Sequence, residues 1–178
     1  FDMLSIEQKL HDAVQKCQRN GQRLTNKRKQ ILTALLKADK AISAYDIINF
    51  CKREFDISLP AMSVYRILEF LRAQGLIHKL NLANKYVVCS HISCNHQHQV
   101  SQFLICISCY KVKEISINQL LSNEVTNQAN QAGFDLVSRK LEINCICITC
   151  KKKYENIQNL DMEIIHLGRD GIILKNES

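Results

Sequence analysis

The sequence predicts an α+β fold in two unequal parts, four helices closed by a β-hairpin and then a small ββαβ unit. Three observations carry this. Apolar residues recur at helical spacing as far as Gly75 and alternate in strand fashion beyond it. Of the formal net charge of +7, residues 1–80 hold +6, from 14 Lys and Arg against 8 Asp and Glu. Seven of the nine cysteines, by contrast, fall at Cys89 or later.

The 178 residues suffice to bury a real core. With 46% apolar and 23% charged residues, 5 Gly and 1 Pro, collagen-like, linker-like and disordered chains are excluded. No apolar run approaches the ~20 residues of a membrane span. No charged segment followed by an apolar one opens the chain, so the cytoplasm is the expected compartment.

Ile6, Leu10, Val14 and Cys17 give a first amphipathic helix over 5–19, ended by Gly21. Thr25 is placed to N-cap a second helix, whose inner stripe is Ile31, Leu32, Leu35 and Leu36. Ser43-Ala44-Tyr45-Asp46 has capping-box spacing and opens a third helix with Ile47, Ile48 and Cys51 inward. Pro60 suits the first turn of a fourth helix over 61–73, where a missing N–H costs nothing. That helix turns Val64, Ile67, Leu68 and Leu71 inward and stops at Gly75. Strands follow at 76–80 and 85–88 around a turn at 81–84.

Helices followed by a hairpin outline a winged helix-turn-helix, with the fourth helix as recognition helix. Its outward residues Ser63, Tyr65, Arg66 and Glu69 suit a groove, although a generic helical domain has the same pattern. The basic balance of this half fits a nucleic acid or another anionic surface.

Residues 90–99 are polar and rich in His and Cys, a hinge in which His91 and Cys94 are further ligand candidates, although a flexible loop contains such residues by chance. Strands are expected at 103–105 and 111–115, then a helix over 118–132 with Leu120, Leu121, Val125 and Ala129 on one face. A third strand is expected over 134–143. A unit of about 50 residues has too small a core to stand alone and needs metal, a second subunit, or both. The expected organisation is a winged domain at 1–84, a hinge at 85–98, a small domain at 99–150, and an unassigned tail at 151–178.

Cys106-Ile-Ser-Cys109 and Cys147-Ile-Thr-Cys150 are two C-x2-C pairs, each presenting two sulfurs to one centre. Four thiolates with no open position make a structural zinc site. Cys145 is an alternative to Cys147, but only Cys147 keeps the two-residue gap to Cys150. A second constellation is His78, Cys89, His96, His98 and Glu114. On residue types alone the plain reading is a solvated His-rich loop. Were these residues to converge, one ion would bridge both domains, and mixed S, N and O donors favour zinc over iron. A zinc hydrolase or deaminase needs an open metal position beside a general base. The chain has neither H-E-x-x-H nor the deaminase H-x-E pattern, so it is read as no enzyme, with no small-molecule substrate.

The run Gly21-Gln-Arg-Leu-Thr25 with Arg28 resembles the opening of the ferric uptake regulator superfamily. Ala41-Ile-Ser-Ala-Tyr-Asp46, Ser63-Val-Tyr-Arg66, the stretch 71–79, Tyr86-Val-Val-Cys89, the stretch 103–109, Val112-Lys-Glu114 and the terminal C-x2-C continue it in order. The resemblance covers about residues 5–150 and points to the zinc uptake regulator branch through Cys89 and the Ala41–Asp46 run.

The resemblance implies a homodimeric, zinc-responsive DNA-binding repressor of zinc-uptake genes, with about two zincs per subunit. A regulator of the same family sensing iron, manganese or peroxide is the alternative. It puts structural zinc on Cys106, Cys109, Cys147 and Cys150. It puts regulatory zinc on His78, Cys89, His98 and Glu114, with His96 as the alternative to His98. Tyr65 and Arg66 are implied at bases of a palindromic duplex, and Tyr45, Lys27 and Arg28 at phosphates. Regulatory zinc is then expected to hold the recognition helices of the dimer ~34–36 Å apart.

Overall fold

The computed structural model describes residues 3–92, 101–137 and 140–154. The order is α1 (Met3–Arg19), α2 (Asn26–Ala38), α3 (Ala44–Phe55), α4 (Ala61–Ala73), β1 (Ile77–Leu80), β2 (Lys85–Val88), β3 (Ser101–Cys106), β4 (Val112–Ser116), α5 (Gln119–Gln131) and β5 (Glu142–Cys145). A last helical stretch covers 148–154. The fold is α+β, as the periodicity predicts, and no helix among the described residues is long and apolar enough to cross a membrane.

The capping box forms as its spacing requires. The Ser43 hydroxyl accepts from Asp46 N–H at 3.1 Å, and Ser43 N–H donates to Asp46 Oδ2 at 2.8 Å. The Ser43 hydroxyl, which also donates to this carboxylate, holds the Asp46 pKa below its ordinary value despite partial burial. Thr25 stands at the N-cap of α2, but its side chain makes no capping bond. Pro60 occupies the N-cap of α4 rather than its first turn, and its carbonyl accepts from Ser63 and Val64 N–H. Gly75 adopts φ +64° just past α4. Gly75 N–H then donates to Arg72 C=O at 2.9 Å and Leu76 N–H to Leu71 C=O at 3.0 Å, a Schellman turn that launches β1.

α1 to α4 share one core, in which Ile31, Leu32, Ile47, Val64, Leu68 and Leu71 are essentially solvent-free. The wing packs on it: β1 and β2 are antiparallel, and Tyr86 bridges to Ile42. This pairing puts residues 85–88 in the wing, so the connecting segment begins after Val88, not at 85.

In the second unit β3 is central, antiparallel to β4 and parallel to β5. A small apolar cluster of Ala41, Leu80, Phe103 and Ile105 joins the two units. Two expectations need correction here. The third strand is confined to Glu142–Cys145, because only that part of the run lies in register with β3, and Phe134 is 70% exposed. On α5, Ser122 is the buried residue, whereas Leu120, expected inward, is 78% exposed, and Leu121 is exposed as well. Three strands are too few to cover the whole apolar stripe of α5. Phe134, Leu136, Val137, Ile143, Ile146 and Ile148 are exposed in the same unit. So much bare apolar surface on one small unit marks a subunit interface.

Candidate metal centres and DNA-reading surface

Among the described residues, two groups of side chains could hold a metal ion. The first is Cys106, Cys109, Cys147 and Cys150. β3 ends at Cys106, and the turn to β4, completed by Tyr110 at φ +60°, carries Cys109. The parallel register sets Cys106 beside Cys145, so the chain leaving β5 brings Cys147 to the same end of the sheet. Cys150 lies in the first turn of the 148–154 helix.

The four sulfurs lie within 4.8 Å of one another, and Cys109 Sγ is 3.7 Å from Cys147 Sγ. Tetrahedral zinc with Zn–S bonds of ~2.3 Å has sulfur–sulfur edges of ~3.8 Å. A disulfide needs about 2.05 Å, and all four cysteines are free. The Cys147 amide, 3.4 Å from Cys106 Sγ, leads the contacts that pull the Cys106 thiol down to about 6. The Cys150 amide likewise lowers Cys147. The Lys111 amide also favours the Cys109 thiolate, but burial and its three cysteine neighbours outweigh it and push that thiol up to about 11. Several thiolates at one point repel one another, and a dication is their natural counter-charge. Cys145 stays outside the quartet. Burial, then the nearby Cys106 and Cys147, keep it a thiol.

The second group is His78, Cys89 and Glu114, whose ligand atoms also lie within 4.8 Å of one another. His78 comes from β1, Cys89 from just past β2, and Glu114 from β4 across the sheet from Phe103. The His78 ring packs on the Phe103 ring at 4.9 Å. The Glu114 side chain is only 3% exposed; its Oε2 accepts from Ser90 N–H at 3.0 Å, and its Oε1 lies 3.7 Å from His78 Nε2. An imidazole nitrogen, a buried thiol and a carboxylate at this spacing suit a borderline-soft cation. His96 and His98 lie outside the described residues. His91, a weaker ligand candidate in the sequence, brings Nδ1 to 3.5 Å from Glu114 Oε1. Its place two residues beyond Cys89 was the signal available in the sequence.

On the basic face, Tyr65 and Arg66 are exposed on α4, Tyr45 on the first turn of α3, and Lys27 at the start of α2. Arg28 is turned inward instead: its guanidinium sits 3.4 Å over the Phe70 ring and donates to Arg23 C=O, bracing α2 against α4. Sequence reasoning passed over Arg23 and Lys29, which line an open groove with Lys27 and Gln22.

The model of the ferric uptake regulator family matches residues 19–144. The zinc uptake regulation protein of Escherichia coli (strain K12) is 33% identical over 150 residues, covering 84% of this chain and 85% of that protein. A solved zinc uptake regulator complexed with zinc and DNA is similar at TM-score 0.71 and 29% identity, over 84% of this chain and 97% of that one. Holo XcZur is similar at TM-score 0.65 and 29% identity, over 80% and 96%. The chain belongs to the ferric uptake regulator family, in the branch of the zinc uptake regulators.

Proposed function

We propose that this chain is a zinc-responsive transcriptional repressor of zinc-uptake genes, a cytoplasmic homodimer that binds palindromic DNA. One observation carries the reading: His78 and Cys89, from the winged side, and Glu114, from the small domain, bring their ligand atoms within 4.8 Å of one another. The winged unit reads DNA and ends at Val88. The segment after it, with Cys89, connects to a dimerisation unit at 99–150, and residues beyond 150 form the tail.

Cys106, Cys109, Cys147 and Cys150 hold the structural ion. His78, Cys89, Glu114 and a hinge histidine, His98 or His96, hold the regulatory one. Zinc held by these residues would supply a crosslink between the two units. His78 and Cys89 are then fixed to Glu114, and the wing cannot swing away from the dimerisation sheet. Only the difference in affinity between closed and open arrangements shifts the population toward DNA binding. Cys89 favours zinc over manganese, because a thiolate suits it better.

Tyr65 and Arg66 face bases, while Tyr45 and Lys27 lie nearer phosphates. Arg66 can form two parallel bonds to guanine, so Arg66→Ala is expected to cost ~1–3 kcal/mol of DNA binding and relax one base position. Its zinc content should not change. Fluorescence anisotropy on duplexes selected from a random pool by the zinc-loaded dimer reads both effects.

The decisive test is zinc per subunit combined with DNA binding across buffered free zinc. About two zincs are expected, one of them removable with loss of binding. A single zinc with metal-independent binding would overturn the reading.

A further inference from the structure

A second bridge between the two units involves none of the proposed metal ligands. The Glu142 side chain, at the start of β5, is only 8% exposed and reaches the turn of the wing. Its Oε1 accepts from Asn81 N–H at 3.0 Å and its Oε2 from Leu82 N–H at 2.8 Å. Lys140 Nζ lies 2.8 Å from Glu142 Oε1, donates to Lys79 C=O, and sits 4.9 Å over the Phe103 ring. One carboxylate thus holds two consecutive amides of a turn about 60 residues away in sequence, and one ammonium holds the carbonyl before it. Burial would raise the Glu142 pKa, but Lys140 and the Leu82 and Asn81 amides outweigh it, so the group stays an anion.

The position of this bridge gives it a role. β1 runs between the two attachments, with His78 near its start and the gripped turn just past its end. The apolar cluster around Leu80 and Phe103 joins the units without direction; the grip on the turn and the His78 attachment add directional contacts at the two ends of β1. We infer that Lys140 and Glu142 form a metal-independent latch that pre-positions the wing and so sets the free zinc concentration at which the second site fills. This rests on the function proposed above. Both are positioning residues, touching neither metal nor DNA. Apparent affinity scales with the fraction of molecules already competent to bind. A latch of charge-assisted bonds, once lost, is expected to lower that fraction about tenfold.

The test uses the full-length dimer carrying its structural zinc, with zinc alone as probe, titrated against a competing chelator. Glu142→Gln replaces one of the two acceptor oxygens by an NH2 that faces an N–H donor, and Lys140→Met removes the ammonium while keeping the apolar stem. Both variants should fill the second site at about tenfold higher free zinc, with two zincs at saturation and unchanged dimer mass. Hydrogen exchange supplies a readout independent of zinc: with one zinc per subunit, the Asn81 and Leu82 amides should both be protected in the parent, and at least one of them should lose protection in Glu142→Gln. Unchanged zinc midpoints in both variants, or unprotected amides in the parent, would overturn the latch. A parent dimer that takes up no second zinc while its two amides remain protected would instead count against the regulatory site, leaving the latch as a purely mechanical link.

Discussion

Cys109→Ser is expected to abolish the dimer while sparing the winged domain. The small unit buries little of its own: Phe103 and Ile105 are its main solvent-free apolar side chains on the sheet, and α5 buries only Ser122. A structural zinc site supplies roughly 10–16 kcal/mol of apparent binding energy, as much as the whole stability of an ordinary domain. Removing one sulfur opens the tetrahedron, leaving a short β5 and the 148–154 helix with no anchor at that end of the sheet. The winged half has its own core, from Ala13 through Ile92, that does not involve the cysteine quartet. The expected result is about one zinc fewer per subunit, sedimentation as a monomer or aggregate, and helical circular dichroism largely retained. A variant that keeps both its zinc and its dimer would show that the quartet is not the structural centre.

Glu114→Ala is expected to uncouple DNA binding from zinc. Among the described residues Glu114 is the member of the second group that comes from the dimerisation side. His78 and Cys89 alone cannot tie one unit to the other. Losing even an outer partner of a metal ligand costs 10–100-fold in affinity, so loss of this carboxylate should weaken the second site by at least about 100-fold. Ser90 N–H loses its acceptor as well, loosening the chain just beyond Cys89. Chelator competition should show the second zinc released first, with the cysteine quartet still loaded. DNA binding should then stay at its zinc-free level across the buffered range. An unchanged zinc midpoint would remove Glu114 from the mechanism.

What could be read from sequence was what is local in the chain. The Ser43–Asp46 capping box, the Gly75 stop and the two C-x2-C turns each span only a few residues, and each forms as its spacing requires. The gathering of His78, Cys89 and Glu114 was legible only through the family resemblance, because three separate strands have to meet. The bridge from Glu142 to Asn81 and Leu82 left no trace in any window, since the partners lie about 60 residues apart. Arg28 looked like any other basic residue because nothing nearby in sequence announces the Phe70 ring beneath it. Leu120 and Leu121 have the spacing of an inner stripe, and a single subunit offers them nothing to cover.

Because β3 and β5 run parallel and end together at Cys106 and Cys145, the alignment of this one strand pair decides how the four sulfurs meet. A β5 slipped by two residues would keep its alternation of faces yet carry Cys147 about 6.6 Å along the sheet; in one direction Cys145 would take its place, but Cys150 would be displaced with it.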